Sequence, residues 1–198
     1  MPCTNPPDAV GVVLAGGRSS RMGRDKADIE WRPGQTLLAR AVERAGAAGC
    51  ESVIVSGDRP GYDHVPDLEP GTGPLGGLDS VLRERAPGLE RKLLLIVPLD
   101  MPILTASTLR RLLDAAAESE RGAVFANGPL PMAVRCDRKL GAAVRKVVQG
   151  GGKRSLGELA RLLELDVLAN VQDREMANVN RRDELAALRG RCAQASND

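Results

Sequence analysis

An α/β domain with a mainly parallel central sheet and helices on both faces is predicted by three features of this chain. Segments of strand type and of helix type alternate along its length. The strand-type segments are continuous apolar runs instead of in-out alternations, as strands covered on both faces must be. A length of 198 residues suits one ordinary core and would crowd two.

Val10, Gly11, Val12, Val13 and Leu14 form a β-branched, apolar run that stops at Gly16-Gly17, which predicts a first strand feeding a turn. Over 36–48, Leu37, Leu38, Ala41, Val42 and Ala45 recur at helical spacing, and Gly49 ends that helix before a second strand, Ser52-Val53-Ile54-Val55. The Gly- and Pro-rich stretch 57–73 reads as a loop. A helix over 78–85 and a buried strand over 92–97 follow. Leu109, Leu112 and Leu113 mark one face of a helix over 105–117, and 123–126 is the next strand, with 132–135 as the candidate to pair beside it. Helices over 139–148 and 156–163, a strand over 167–171 and a helix over 183–188 complete the alternation. One domain over 10–189 is expected, with flexible flanks at 1–9 and 190–198.

Composition removes several classes of function. Aromatic residues are 2% of the chain, so the core must be aliphatic, and the stacking platforms of single-strand nucleic-acid binders are absent. The net charge of +2 comes from 28 basic and 26 acidic residues spread over the whole length, which disfavours binding to a duplex. Cys3, Cys50, Cys136 and Cys192 lie too far apart for a metal knuckle or a secreted disulfide scaffold, and a reducing cytoplasm fits best. No basic leader or membrane-length apolar run is visible, so no signal peptide or anchor is expected.

The segment Leu14-Ala15-Gly16-Gly17-Arg18-Ser19-Ser20-Arg21-Met22-Gly23-Arg24-Asp25-Lys26 gathers glycine and cations at the end of the first strand. Glycine lets the backbone approach phosphate oxygens, successive N–H groups form an anion-binding concavity, and Arg21 or Lys26 neutralises charge. The same composition also describes a solvated basic loop. It is not a Walker A loop, because no Gly-Lys-Ser/Thr follows at the required spacing. Gly71-Thr72-Gly73-Pro74-Leu75-Gly76 is a literal G-x-G-x-x-G, yet Glu69-Pro70 precedes it instead of a strand, which argues against a dinucleotide fingerprint. Asp100 stands just beyond the apolar run ending at Val97, at the edge where such sheets bind ligands. A single carboxylate there suits Mg²⁺ shared with substrate phosphates, or a cap ahead of Pro102.

The string Leu-Ala-Gly-Gly-x-x-x-Arg-Met-Gly-x-Asp-Lys closely resembles the signature of nucleotidyltransferases acting on sugar phosphates and cofactors, specifically that of the molybdenum cofactor guanylyltransferases. Three further landmarks follow in order: Gly73-Pro74-Leu75-Gly76-Gly77, Pro98-Leu99-Asp100-Met101-Pro102 and Asn178-Val179-Asn180. The resemblance covers residues 10 to about 188 and implies a single Rossmann-like nucleotidyltransferase domain. It implies that Leu14, Ala15, Gly16, Gly17, Lys26, Ser56, Asp67, the Gly73–Gly77 string and Asp100 bind the nucleotide. The same string is implied to help tell guanine from cytosine. Arg21, Lys26 and Asp100 are the implied catalytic set, and Asp100 the ligand of Mg²⁺. Ser56 stands where the family has asparagine. Asn178 and Asn180 match a late Asn-x-Asn, but Arg181-Arg182 replace the usual Thr-Pro. Lys153-Arg154 either grip the acceptor's phosphate or form a solvated turn.

The implied reaction joins GMP from GTP to the phosphate of molybdopterin, with pyrophosphate released. Its acceptor is a phosphomonoester with a second pKa of about 6, so no general base is needed. That removes any demand on His64, expected to be a solvated loop residue, and on Cys50 and Cys136, expected to be packing residues. GTP and molybdopterin are the implied partners, with transient contacts to molybdenum cofactor insertion and acceptor enzymes. Competing readings are cytidylyl transfer to the same pterin, guanylyl transfer to another phosphorylated acceptor, a non-catalytic molybdopterin carrier, and an NAD-dependent enzyme using Gly71–Gly76.

Overall fold

The computed structural model describes residues 8–16, 25–150 and 155–194; the side chains of Arg182 and of residues 191–194 are outside the description. The chain order is β1 (Ala9–Leu14), a 3-10 turn (Lys26–Asp28), β2 (Glu30–Arg32), β3 (Gln35–Thr36), α1 (Leu37–Ala47), β4 (Ser52–Ser56), β5 (His64–Val65) and α2 (Gly73–Leu89). Then come β6 (Leu93–Pro98), α3 (Ala106–Glu118), β7 (Ala123–Phe125), β8 (Gly128–Arg135), α4 (Arg138–Gln149), α5 (Leu156–Leu162), β9 (Asp166–Leu168) and α6 (Arg182–Gln194).

Seven strands form one sheet in the order β5-β4-β1-β6-β8-β7-β9, and β2 and β3 form a separate antiparallel pair. The pairings β4·β5, β1·β4, β1·β6 and β7·β9 are parallel, while β8 runs antiparallel to both β6 and β7. The sheet is therefore mainly parallel, with one reversed strand. The reversal follows from the short link between β7 and β8, which is long enough for a hairpin and too short for a crossover.

Both faces of the sheet are covered. Val10, Val12, Leu14, Leu94, Ile96, Met132 and Val134 pack against the α2, α4 and α5 side. Ala9, Leu93, Leu95 and Val97 pack with α3, and Val13 and Val55 pack with α1, α6 and the buried Trp31. Residues one apart thus face different helices, which is why β1 and β6 are apolar at every position. The helices start where side chains satisfy free amides. Thr36 caps α1, Thr105 α3, Asp137 α4 and Ser155 α5, each accepting from a backbone N–H three residues on.

Several elements differ from the sequence-based expectation. Ala9 opens β1 and is fully buried, although the pattern placed it in the N-terminal flank; residues 1–7 lie outside the described residues. At the other end α6 reaches Gln194 instead of stopping near Leu188. The expected loop 57–73 contains β5, and its companion helix begins at Gly73, not at residue 78. Pro74 occupies the first turn of α2, where a missing N–H costs no hydrogen bond, so breaker residues there mark a helix start. Val171, expected to end a strand, lies beyond β9 but remains buried. The β2–β3 hairpin was missed, although Pro33-Gly34 between its strands is an ordinary turn signal.

Ile96 is fully buried on the α2 side of the central strand pair. Ile96→Ala is expected to cost about 2–5 kcal/mol of unfolding free energy, read as a lower urea midpoint with an unchanged slope.

Candidate functional site

The register of the three central strands builds the site. Leu14 is paired with Ser56 on one side and with Pro98 on the other, so the segments leaving β1, β4 and β6 emerge at the same edge. Ala15 N–H donates to Ser56 O at 3.0 Å and extends that alignment past the strand end. This is the carboxyl edge, where open α/β sheets bind ligands.

Beyond β6, Asp100 meets the 3-10 turn. Lys26 Nζ donates to Asp100 Oδ2 at 3.1 Å and to Asn180 Oδ1 at 2.7 Å. Both members of the Lys26–Asp100 pair are about a quarter exposed or less. Asp100 Oδ1 accepts no hydrogen bond from the described residues. Its backbone oxygen accepts from Val179 N–H at 2.8 Å, which fixes the segment carrying Asn180. Glu184 then accepts from the amides of Asn180 (2.7 Å) and Arg181 (3.0 Å) ahead of α6. That is half of a capping box, and it serves the end where Arg181-Arg182 stand in place of Thr-Pro.

Beyond β4, a second cluster forms. Ser56 is 1% exposed, and its Oγ has no hydrogen-bond partner; Asp67 Oδ1 is likewise buried and unpartnered. Two glycines leave room for them. A Cβ on Gly77 would lie 2.2 Å from Ser56 Oγ and 3.3 Å from Asp67 Oδ1, and one on Gly16 would lie 2.7 Å from Asp67 Oδ2. Burial raises the Asp67 carboxyl above the ordinary carboxylate range, and the Arg59 guanidinium opposes that rise. Arg59 itself donates to Ala15 O at 2.8 Å and pairs with Asp25 Oδ2 at 2.7 Å.

The structure thus brings together Ala15, Gly16, Ser56, Asp67 and Gly77 in one cluster and Lys26, Asp100 and Asn180 in another. Gly76 packs against Thr72 at the start of α2. The side chains of Leu14 and Leu75 are buried in the core beneath, where apolar groups at the end of β1 and the first turn of α2 anchor their backbones. Asn178 is exposed and makes no hydrogen bond to the described residues. Gly17, Arg21, Lys153 and Arg154 lie outside the described residues. His64 is a correction. It is half-buried on β5, 3.1 Å from Tyr62 O and 3.4 Å from Asp58, because the loop that holds it pairs with β4. Burial pushes the Cys50 thiol up to about 12 and the Cys136 thiol up to about 11, as packing residues require. Sequence reasoning missed Arg59, Asp25 and Glu184. Glu184, three residues after Arg181, had a readable capping signal, and Asp25 stands inside the signature string without a role assigned to it, whereas Arg59 looks like an ordinary surface charge.

A carboxyl edge that gathers a carboxylate–lysine pair and unpartnered polar groups has the form of a ligand-binding edge of an open α/β domain. The chain belongs to the MobA-like NTP transferase domain family, whose model matches residues 11–171. It is 43% identical over 155 residues to the molybdenum cofactor guanylyltransferase of Xanthomonas euvesicatoria pv. vesicatoria (strain 85-10), covering 78% of this chain and 79% of that protein. It is 33% identical over 189 residues to a probable molybdenum cofactor guanylyltransferase of Deinococcus radiodurans, covering 91% of this chain and 93% of that one. Among solved structures, a nucleotidyl transferase from Methanothermobacter thermautotroptrophicus matches with a TM-score of 0.71 at 20% identity, over 95% of this chain and 99% of that chain. Rv0371c from Mycobacterium tuberculosis H37Rv matches with a TM-score of 0.68 at 22% identity, over 92% and 98% respectively. At such identities these two structures speak for the fold. Among the described residues no helix is long and apolar enough to cross a membrane.

Gly77→Ala is expected to cost about 1–3 kcal/mol through overpacking, measured by thermal unfolding. Adding Ser56→Ala, which removes the oxygen in the way, recovers part of that loss.

Proposed function

We propose that the domain transfers GMP from GTP to the phosphate of molybdopterin, forming molybdopterin guanine dinucleotide and releasing pyrophosphate. The observation that carries this reading is the gathering, on one sheet edge, of the Lys26–Asp100 pair and two buried polar groups without partners, the Ser56 hydroxyl and the acceptor Asp67 Oδ1. The 43% identity to a protein named molybdenum cofactor guanylyltransferase supports the choice of donor and acceptor. Buried acceptors call for donors. Guanine offers adjacent N1–H and N2–H donors that a carboxylate accepts together, whereas cytosine sets its amino donor beside the N3 acceptor, which a carboxylate repels. Asp67 is therefore the base-reading group in this proposal, Ser56 its neighbour, and the Gly73–Gly77 turn of α2 the wall that leaves them room.

Asp100 fits Mg²⁺. It is partly exposed, and one of its oxygens accepts no hydrogen bond from the described residues. Mg²⁺ is commonly held by one or two carboxylates, water and substrate phosphates. Bound there, the ion would supply electrostatic stabilisation of the reacting phosphates. Lys26 offsets triphosphate charge, together with Arg21 and the amides of Gly16 and Gly17 by the family motif. An oxygen of the acceptor phosphate attacks the α-phosphorus in line, the bond to the α,β-bridging oxygen breaks, and pyrophosphate departs with that oxygen. The bond of Asn180 to Lys26 supports an acceptor site on the Asn178–Asn180 segment, to which Lys153 and Arg154 belong in the same reading. The reaction is assigned to the cytoplasm, where transient contacts with insertion and acceptor enzymes pass the product on.

The test is mass spectrometry of the product from GTP, Mg²⁺ and molybdopterin, with CTP run in parallel. A guanine dinucleotide and stoichiometric pyrophosphate are expected; a cytosine product, or nucleotide binding without pyrophosphate release, overturns the reading. Asp100→Asn is expected to lower turnover by about a hundredfold or more with an unchanged circular dichroism spectrum.

Asp67 generates a prediction of opposite signs. Its carboxyl is raised on folding, so the ionised form costs stability once the pH exceeds the unfolded-state value, and that cost is fully present above the folded pKa. Asp67→Asn is expected to hold or raise the Tm at pH 7 while weakening GTP binding about tenfold or more. In the parent protein GTP affinity is expected to fall as the pH drops through the raised Asp67 pKa, and calorimetry across pH reads both effects.

A further inference from the structure

Arg59 stands outside every motif of the chain, on the turn after β4, yet its side chain is only 19% exposed. Its Nη2 donates to Ala15 O, at the exit of β1, and pairs with Asp25 Oδ2, just before the turn that carries Lys26. Nη1 lies 3.3 Å from Asp58 O, and Nε is buried without a hydrogen-bond partner. Asp25 is occupied on both oxygens. Oδ2 meets Arg59, while Oδ1 accepts from Ala27 N–H at 3.0 Å and caps the 3-10 turn beginning at Lys26.

One guanidinium therefore joins two points of the glycine-rich segment that the β-ladder does not join to each other. Ala15 is already fixed by its bond to Ser56 O. The Arg59–Asp25 contact transmits that position to the turn, and Lys26 reaches Asp100 from it. The same cation is the neighbour that opposes the rise in the Asp67 carboxyl. A surface arginine that only solubilised the loop would have no reason to be buried against a strand-end carbonyl and a helix-capping carboxylate.

We propose that Arg59 is a positioning residue for nucleotidyl transfer: its half-buried guanidinium clasps Ala15 and Asp25 and so fixes Lys26 relative to the end of β1, without touching the substrate. The inference rests on the nucleotide-binding part of the function proposed above. Nη2 makes both contacts, one toward each segment, and the planar group to which it belongs fixes the angle between them.

The experiment is calorimetric titration of Mg²⁺-GTP into the full chain without pterin, followed by steady-state kinetics with pterin. Arg59→Ala is expected to weaken GTP binding about ten- to a hundredfold and to raise the KM for GTP while leaving the KM for the pterin unchanged. Millimolar guanidinium chloride, far below denaturing levels, restores a measurable part of that loss, and urea at the same concentration does not. Asp25→Asn, which keeps the cap on Ala27 but loses the ion pair, weakens GTP binding in the same direction and adds little to Arg59→Ala in the double variant. Wild-type GTP affinity in either single variant overturns the proposal. So does a loss in Arg59→Ala that guanidinium leaves untouched. If Arg59→Ala does not fold, Asp25→Asn alone decides between these outcomes. A wild-type chain that binds Mg²⁺-GTP but makes no guanine dinucleotide would refute guanylyl transfer to molybdopterin and leave the Arg59 clasp to be judged by binding.

Discussion

The parallel register of β1 between β4 and β6 is the constraint on which the rest depends. With Leu14 aligned to Ser56 and to Pro98, three connections leave the sheet at one level, and each delivers a different kind of group. The first delivers backbone and glycine, the second a buried hydroxyl with Asp67 close behind, and the third Asp100. A slip of one residue in either pairing would turn every apolar side chain of the shifted strand toward the wrong helix layer. The two dense aliphatic layers on either face therefore hold the geometry of the polar edge.

At that edge the polar groups are left incompletely satisfied. Ser56 Oγ and Asp67 Oδ1 are buried and without partners, an arrangement costing about 1–3 kcal/mol per group. The cost is borne by a core in which β1 and β6 are buried at all positions. Gly16 and Gly77 leave these groups their space, since a Cβ at either position would strike Asp67 or Ser56. Asp100 follows a different rule. Its partner Lys26 is a largely shielded cation that also donates to Asn180, so that carboxylate is paired where Asp67 Oδ1 is not.

Much of this was legible in the residues. The apolar runs located β1, β4 and β6, helical spacing located α1 and α3, and the position of Asp100 after Val97 announced a strand-end carboxylate. Failures came where one residue type has two uses. Gly-Pro-Leu-Gly-Gly reads as a loop by its breakers, yet Pro74 and the glycines form the first turn of α2, where Pro is tolerated and small residues admit Ser56 and Asp67. His64 looked solvated because a two-residue strand is too short for periodicity to register.

By itself the sequence determined the alternation of elements, the double burial of the central strands and the place of Asp100 just past the end of β6. All of these follow from short-range pattern: side-chain period, caps and turn chemistry act over a few neighbouring residues. Only the tertiary structure decided that β8 lies beside β6, that Ser56 meets Gly77, and that Arg59 joins Ala15 to Asp25. Those contacts join segments far apart in the chain, and strand register together with core packing sets their distances, so no local pattern encodes them.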